Sequence, residues 1–135
     1  MGRGGKAFDL ARMFAAFSDR TRLRLLNLMN EREVCVCYFV EILGQSQPKI
    51  SRHLAYLRKA GIVRARRDGK WMHYRLETPA DAAAAAILRT TLESLEADRE
   101  MQSDLARLNR ACCAPLRFVT LQGAPAPARV ESRVS

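Results

Sequence analysis

The dipeptide Asp68-Gly69 stands between two runs of β-forming residues, Ile62 to Arg67 and Lys70 to Leu76. An Asp-Gly step in that setting is the strongest short-range signal for a two-residue hairpin, because both positions of a type I′ turn need positive φ. The hairpin follows directly on an amphipathic helix. Ile50, Leu54 and Leu57 recur at i, i+4 and i+7 and define one buried face. Ser46 supplies an N-cap, Pro48 fits the first turn, and Gly61 closes the helix. A shorter helix from about Tyr38 to Leu43, ended by Gly44, comes just before it. Short helix, tight turn, second helix and hairpin in that order leave few packings open.

Charge separates the function classes. The chain carries a net +9, and residues 46–76 hold nine basic side chains against the single acidic Asp68, a net of +8. Confining one sign of charge to one segment does nothing for solubility and suits a surface that binds a polyanion. The 135 residues read as one domain, with 48% hydrophobic residues and no apolar run long enough to span a membrane. No secretory leader pattern is present at the N-terminus, so a cytosolic protein is expected.

Elsewhere the pattern predicts a first helix over Ala7–Phe17, with Phe8, Ala11, Met13, Phe14 and Phe17 on one side. A second helix is capped by Ser18 or Asp19 and buries Leu23, Leu26 and Met29, with Arg20, Arg22 and Arg24 outside that stripe. A β-branched stretch, Val34-Cys35-Val36-Cys37, precedes the third. From Pro79 onward, Ile87, Leu88, Leu92 and Leu95 form one apolar stripe and Met101, Leu105, Leu108 and Cys112 another, out of phase across residues 98–100. That predicts a kinked helix or two consecutive ones, with a partner subunit as the expected cover for the stripes. Residues 1–113 are expected to form the folded unit and residues 114–135, with Pro115, Pro125 and Pro127, a disordered tail.

These elements describe a mainly α chain with a small β-hairpin wing, a winged helix-turn-helix that pairs as a homodimer through its terminal helices. Its physical logic is a helix narrow enough for the major groove beside a hairpin that grips the backbone of double-stranded DNA. On the basic helix Gln47, Ser51, Arg52 and His53 can reach base edges, Arg52 being suited to guanine. Lys49, Arg66, Arg67 and Lys70 are candidate phosphate or minor-groove contacts. For His53 and Tyr56 packing against the neighbouring helix is the alternative, and Trp71 is expected to pack within the hairpin.

The four cysteines come as two close pairs, Cys35/Cys37 and Cys112/Cys113, which in a reducing compartment point to metal binding or redox chemistry. No Cys-x-x-Cys in a βαβ unit, Ser/His/Asp set or carboxylate pair suggests an enzyme.

Three motifs carry a family resemblance. Ser18-Asp19-Arg20-Thr21-Arg22-Leu23-Arg24-Leu25-Leu26 resembles the second helix of the ArsR/SmtB metal-responsive repressors. Ser46-Gln47-Pro48-Lys49-Ile50-Ser51-Arg52-His53-Leu54 resembles their recognition helix, and Asp68 to Leu76 their wing. The likeness covers about residues 8–95, with Arg20 in place of a common proline. Glu33-Val34-Cys35-Val36-Cys37 resembles the arsenic-sensing branch, whose Cys-x-Cys-x-x-Cys motif binds trivalent arsenic or antimony; Val40 stands where the third cysteine would be. The resemblance implies an operator-binding repressor released by As(III) or Sb(III), with Cys35 and Cys37 as ligands. Cys112 or Cys113, of the same or the partner subunit, is the candidate for the missing thiolate, with a two-thiolate site or a second site on the Cys112/Cys113 pair as alternatives. Soft ions prefer sulfur, which is why thiolates are needed. No histidine lies in the long C-terminal helical region, so the His-and-acid zinc site of some relatives is absent. A zinc- or cadmium-responsive repressor using the four thiols, or a redox-responsive one, remains the alternative.

Overall fold

The computed structural model describes residues 8–113, 121 and 123–130. Helix α1 (Leu10–Phe17) is capped by Asp9, whose carboxylate accepts from the Arg12 amide. It buries Met13 and Ala16, while Leu10 and Phe14 are 41% and 51% exposed, so the expected apolar side is divided between core and solvent. Helix α2 (Arg20–Leu28) takes Asp19 as its N-cap and buries Leu25, Leu26 and Leu28. Strand β1 (Arg32–Cys35) then runs straight into α3 (Val36–Leu43), with Cys35 at the cap position. The third helix therefore begins two residues before Tyr38, and Cys37 lies in its first turn. Gly44 ends it at φ 66°, a left-handed conformation that glycine adopts without strain.

Helix α4 (Gln47–Lys59) follows the sequence closely: Ser46 caps it, and Ile50, Leu54 and Leu57 are buried. Strands β2 (Val63–Asp68) and β3 (Trp71–Leu76) form the expected hairpin, but its loop is Gly69-Lys70, with Asp68 paired to Trp71. Only Gly69 has positive φ (61°). One positive φ at the first loop position is the type II′ pattern, which also matches strand twist. The expected Asp68-Gly69 loop with two positive φ values is thus shifted by one residue.

Helices α5 (Ala82–Leu95) and α6 (Arg99–Cys113) are separate. The break is made by Asp98, whose Oδ1 accepts from the Glu100 and Met101 amides and starts α6 afresh. Helix α6 packs on α2 and α3 of the same chain, burying Met101, Leu108 and Ala111. Helix α5 likewise packs on α2 and buries Leu88, Leu92 and Leu95. Most of the stripes expected to need a partner are covered within the chain, with Ile87, Leu105 and Cys112 half-buried. Arginines from α2 fasten this packing. Arg20 binds Asp98 and Glu100 at 2.7 Å, and Arg24 makes a two-armed pair with Asp104 at 2.8 and 3.0 Å. Arg24 is only 14% exposed, so it does not lie outside the α2 interface as expected; its partner Asp104, at 1%, sits in the apolar stripe of α6.

The hairpin is joined by β1, pairing Val34 with Tyr74 and Cys35 with His73, and by β4 (Ala128–Arg129) on the far edge of β1. The antiparallel order is β2-β3-β1-β4. Within the stretch expected to be a disordered tail, residues 128–129 thus lie on the open edge of β1, where unpaired backbone groups offer hydrogen bonds. Residues 114–120, 122 and 131–135 of that tail lie outside the described residues.

Candidate nucleic-acid interface and thiol site

Helix α4 and the β2–β3 hairpin present the basic side chains. Gln47, Lys49 and Arg52 are exposed on α4, and Ser51 is half-buried. At the hairpin tip Arg67 is exposed with its Nε donating to the Gly69 carbonyl at 3.2 Å, and Lys70 holds its Nζ 5.0 Å above the Trp71 ring. Trp71, expected to pack within the hairpin, packs partly buried against the core. Cations displayed on a helix face and a hairpin tip are suited to bases and phosphates respectively.

Two of the candidate contacts are otherwise engaged. His53 is tucked toward α2: its Nδ1 lies 3.3 Å from an Arg22 guanidinium nitrogen and 3.8 Å from an Asp19 carboxylate oxygen. Burial pushes its pKa below the ordinary imidazole value, with Asp19 opposing and Arg22, Lys49 and Arg52 adding to the shift. Arg22 also donates to the Ala15 and Ala16 carbonyls and lies 4.2 Å from the centre of the Tyr56 ring. Packing against the neighbouring helix, the alternative for both residues, is thus observed. On β2, Arg66 grips Glu33 through three contacts of 2.8–3.2 Å. This hydrogen-bonded guanidinium holds the Glu33 carboxyl below the usual carboxylate range, against the opposing effect of burial. Arg66 is therefore already paired where a phosphate was expected.

The thiols gather around the junction of β1 and α3. Cys35, Cys37 and Cys112 are not in disulfides. Cys35 is fully buried, Cys37 half-buried, and their sulfurs lie 3.9 Å apart. Two sulfurs at that separation can share one ion at bond lengths of about 2.3 Å, the zinc–thiolate value. Burial first, and the neighbouring Cys35 second, push the Cys37 thiol up to about 11. Cys37 is thus protonated at neutral pH until an ion displaces its proton. Between α3 and α6 sits Tyr38, fully buried, with its hydroxyl unpaired among the described residues. Burial and then the charges of Cys112, Cys35 and Cys37 raise its pKa, so Cys112 of the same chain lies within electrostatic reach of Tyr38. No three His, Cys, Asp or Glu side chains among the described residues converge tightly enough to hold an ion. The Cys113 side chain lies outside the described set.

Strand β1 connects the two regions. Glu33 binds the wing through Arg66, and Cys35, two residues on and pointing to the same side of the sheet, is paired with His73 of β3. The thiol site and the wing are neighbours in one sheet. Local sequence patterns gave no signal for these links, because Arg22–His53, Arg24–Asp104 and Glu33–Arg66 join residues at least 31 positions apart.

Comparison with known proteins accounts for this arrangement. Residues 19–65, the stretch from the α2 cap into β2, match the family described as bacterial regulatory protein, arsR family. The arsenical resistance operon repressor of Escherichia coli K12 is 49% identical over 77 residues, 56% of this chain and 66% of that protein. Pseudomonas putida KT2440 has an arsenic resistance transcriptional regulator, ArsR2, that is 42% identical over 61% of this chain and 72% of its own length. The chain belongs to the arsR family. It spans just under two thirds of the length of the Escherichia coli relative. Among solved structures, the BigR transcriptional repressor of Xylella fastidiosa aligns with TM-score 0.52 at 31% identity, over 64% of this chain and 85% of that one. The AntR antimony-specific transcriptional repressor aligns with TM-score 0.52 at 25% identity, over 70% and 89%. ArsR-family relatives also include a probable mercury resistance operon repressor of Streptomyces lividans and a cadmium resistance regulator homolog of Staphylococcus aureus. These relatives are transcription regulators, not enzymes. No helix among the described residues is long and apolar enough to cross a membrane.

Proposed function

We propose that this arsR-family protein is an operator-binding repressor that dissociates from double-stranded DNA when trivalent arsenic or antimony binds its cysteine thiolates. The observation that carries the reading is the Cys35–Cys37 sulfur pair, 3.9 Å apart, where the strand paired with the wing runs into α3. Cys112, within electrostatic reach of Tyr38 from α6 of the same chain, supports a third thiolate supplied from within the subunit, with Cys113 beside it in sequence as the other candidate. Drawing either sulfur onto the Cys35–Cys37 pair moves the end of α6 toward β1.

Residues 1–113 then form the DNA-binding and dimerisation unit, and two copies place Gln47, Ser51, Arg52 and His53 in successive major grooves. The exposed Leu10 and Phe14 of α1 supply apolar surface for the dimer contact. Release is a coupling free energy of about 1–3 kcal/mol between ion and operator, so operator DNA weakens ion binding by the same factor. Zinc or cadmium in place of the metalloid is the second reading, favoured by the mercury and cadmium relatives.

The deciding experiment is fluorescence anisotropy of the reduced protein on its own upstream DNA, titrated in parallel with arsenite, antimonite, zinc and cadmium. Cys35→Ser and Cys37→Ser should bind DNA normally and ignore the ion. Release of wild type but not of Cys112→Ser/Cys113→Ser identifies a three-thiolate site. Collapse of DNA affinity in the Cys35 or Cys37 variants without ion would refute the division of labour. Release by zinc or cadmium alone would replace the metalloid reading with the second one.

A further inference from the structure

A guanidinium has only donors, so the 3.3 Å contact from Arg22 to His53 Nδ1 requires that nitrogen to accept. The imidazole is then neutral, and its proton must sit on Nε2. Asp19, at 3.8 Å from the same Nδ1, is too distant to accept a hydrogen bond from it and reverse that assignment. The His53 side chain is 18% exposed, its Nε2 makes no hydrogen bond among the described residues, and it lies on the helix that carries Arg52. Arg22 itself is immobilised by the Ala15 and Ala16 carbonyls and by the Tyr56 ring, so its donor is held in place before any DNA arrives. The charged groups facing His53 are Asp19 and Arg22 from α2, and Lys49 and Arg52 from its own helix.

We propose that Arg22 is a positioning residue that fixes the tautomer of His53, making Nε2–H a dedicated hydrogen-bond donor from α4 to an acceptor on operator DNA. The inference rests on the operator-binding reading above. It adds a specificity contact that a simple basic face would not contain: a neutral donor seeks an acceptor such as guanine N7 or O6, or a phosphate oxygen, at one position. A neutral donor releases no counterion, so removing it leaves the salt slope of binding unchanged, unlike removal of a phosphate-bound lysine or arginine.

Two measurements on the full reduced chain test it. The imidazole nitrogen NMR spectrum of the free protein at neutral pH should show Nδ1 bare and Nε2 protonated for His53; a proton on Nδ1 would overturn the proposal without any variant. Anisotropy should then show His53→Met losing about tenfold in operator affinity, the worth of one hydrogen bond, at an unchanged salt slope. His53→Gln, which keeps an amide donor near the same place, should recover most of it. Arg22→Met should weaken binding in the wild-type background and have much less effect beside His53→Gln, since an amide needs no tautomer set. Equal losses in both backgrounds would mean that Arg22 acts only on folding and would overturn its role. Operators carrying 7-deazaguanine, 2-aminopurine in place of guanine, or single methylphosphonates identify the acceptor as N7, O6 or backbone; if none of these removes the His53-dependent fraction, the donor contact is refuted. Wild type that binds no upstream DNA refutes the operator reading itself, whereas binding indifferent to His53→Met refutes only this inference.

Discussion

Helix α4 and the β1–α3 junction are separated only by α3 itself and a three-residue turn, yet are built on opposite principles. Helix α4 is assembled from neighbours in sequence: a serine cap, a first-turn proline and an apolar stripe leave its polar face in solvent. The junction buries its reactive groups, raises the thiol of Cys37, and depends on α6 from the far end of the chain for its remaining wall. A surface that meets a large, charged partner can be prepared locally. A site that must tell a soft ion from water needs desolvation, and only distant chain segments supply that.

The sharpest way to break this contrast is through the fastening of α6. Arg24→Ala leaves the buried Asp104 with only Arg107, 4.0 Å away, and loss of one member of a buried pair costs up to about 3–5 kcal/mol. Urea unfolding should show that loss in the midpoint, and what remains folded should respond poorly to ion because α6 is no longer held beside α3. Stability within about 0.5 kcal/mol of wild type would mean that the joint is not what shapes the thiol pocket.

The exposed side of the comparison should behave in the opposite way. Arg52→Ala should weaken operator binding by about 1–3 kcal/mol, chiefly through one base position, while thermal stability stays within about 0.5 kcal/mol. A large fall in melting temperature would show that α4 is more than a displayed surface.

Proton accounting distinguishes the inducers. With the Cys37 thiol protonated at neutral pH, a divalent cation must expel that proton to bind its sulfur, so the apparent affinity should rise about tenfold per pH unit on account of this thiol. Arsenous acid instead exchanges hydroxide for sulfur; each thiol proton leaves in a water molecule, and affinity should be nearly flat between pH 6 and about 8. Calorimetric titration across that range checks both slopes, and a flat profile for cadmium would mean that the sulfurs are already ionised.

The smallest effect is expected at the strand between the regions. Glu33→Gln should lower the urea midpoint slightly at neutral pH. Because Arg66 depresses the carboxyl in the folded state, that contribution is present above the ordinary carboxylate pKa and disappears as pH falls through the depressed value. Wild type and variant should therefore converge in acid, and a difference that persists there would point to packing rather than charge. The same variant frees Arg66, so operator affinity should rise modestly if the arginine then reaches a phosphate.

The sequence by itself determined the elements whose causes are local. Ser46, Pro48 and the Ile50–Leu54–Leu57 stripe specified α4, and the strand-forming runs around Gly69 specified the hairpin, although its loop is Gly69-Lys70 because only the first position takes positive φ. The out-of-phase stripes around Asp98 announced a break that a capping carboxylate completes. Tertiary structure alone decided that α6 covers α2 and α3 of its own chain, that Arg24 meets a buried aspartate, and that β1 joins the wing sheet. It also placed Arg22 on His53 and Arg66 on Glu33. The physical reason is that caps, turns and periodicity are settled within a few residues, whereas an arginine's partner depends on which helix or strand folds against it.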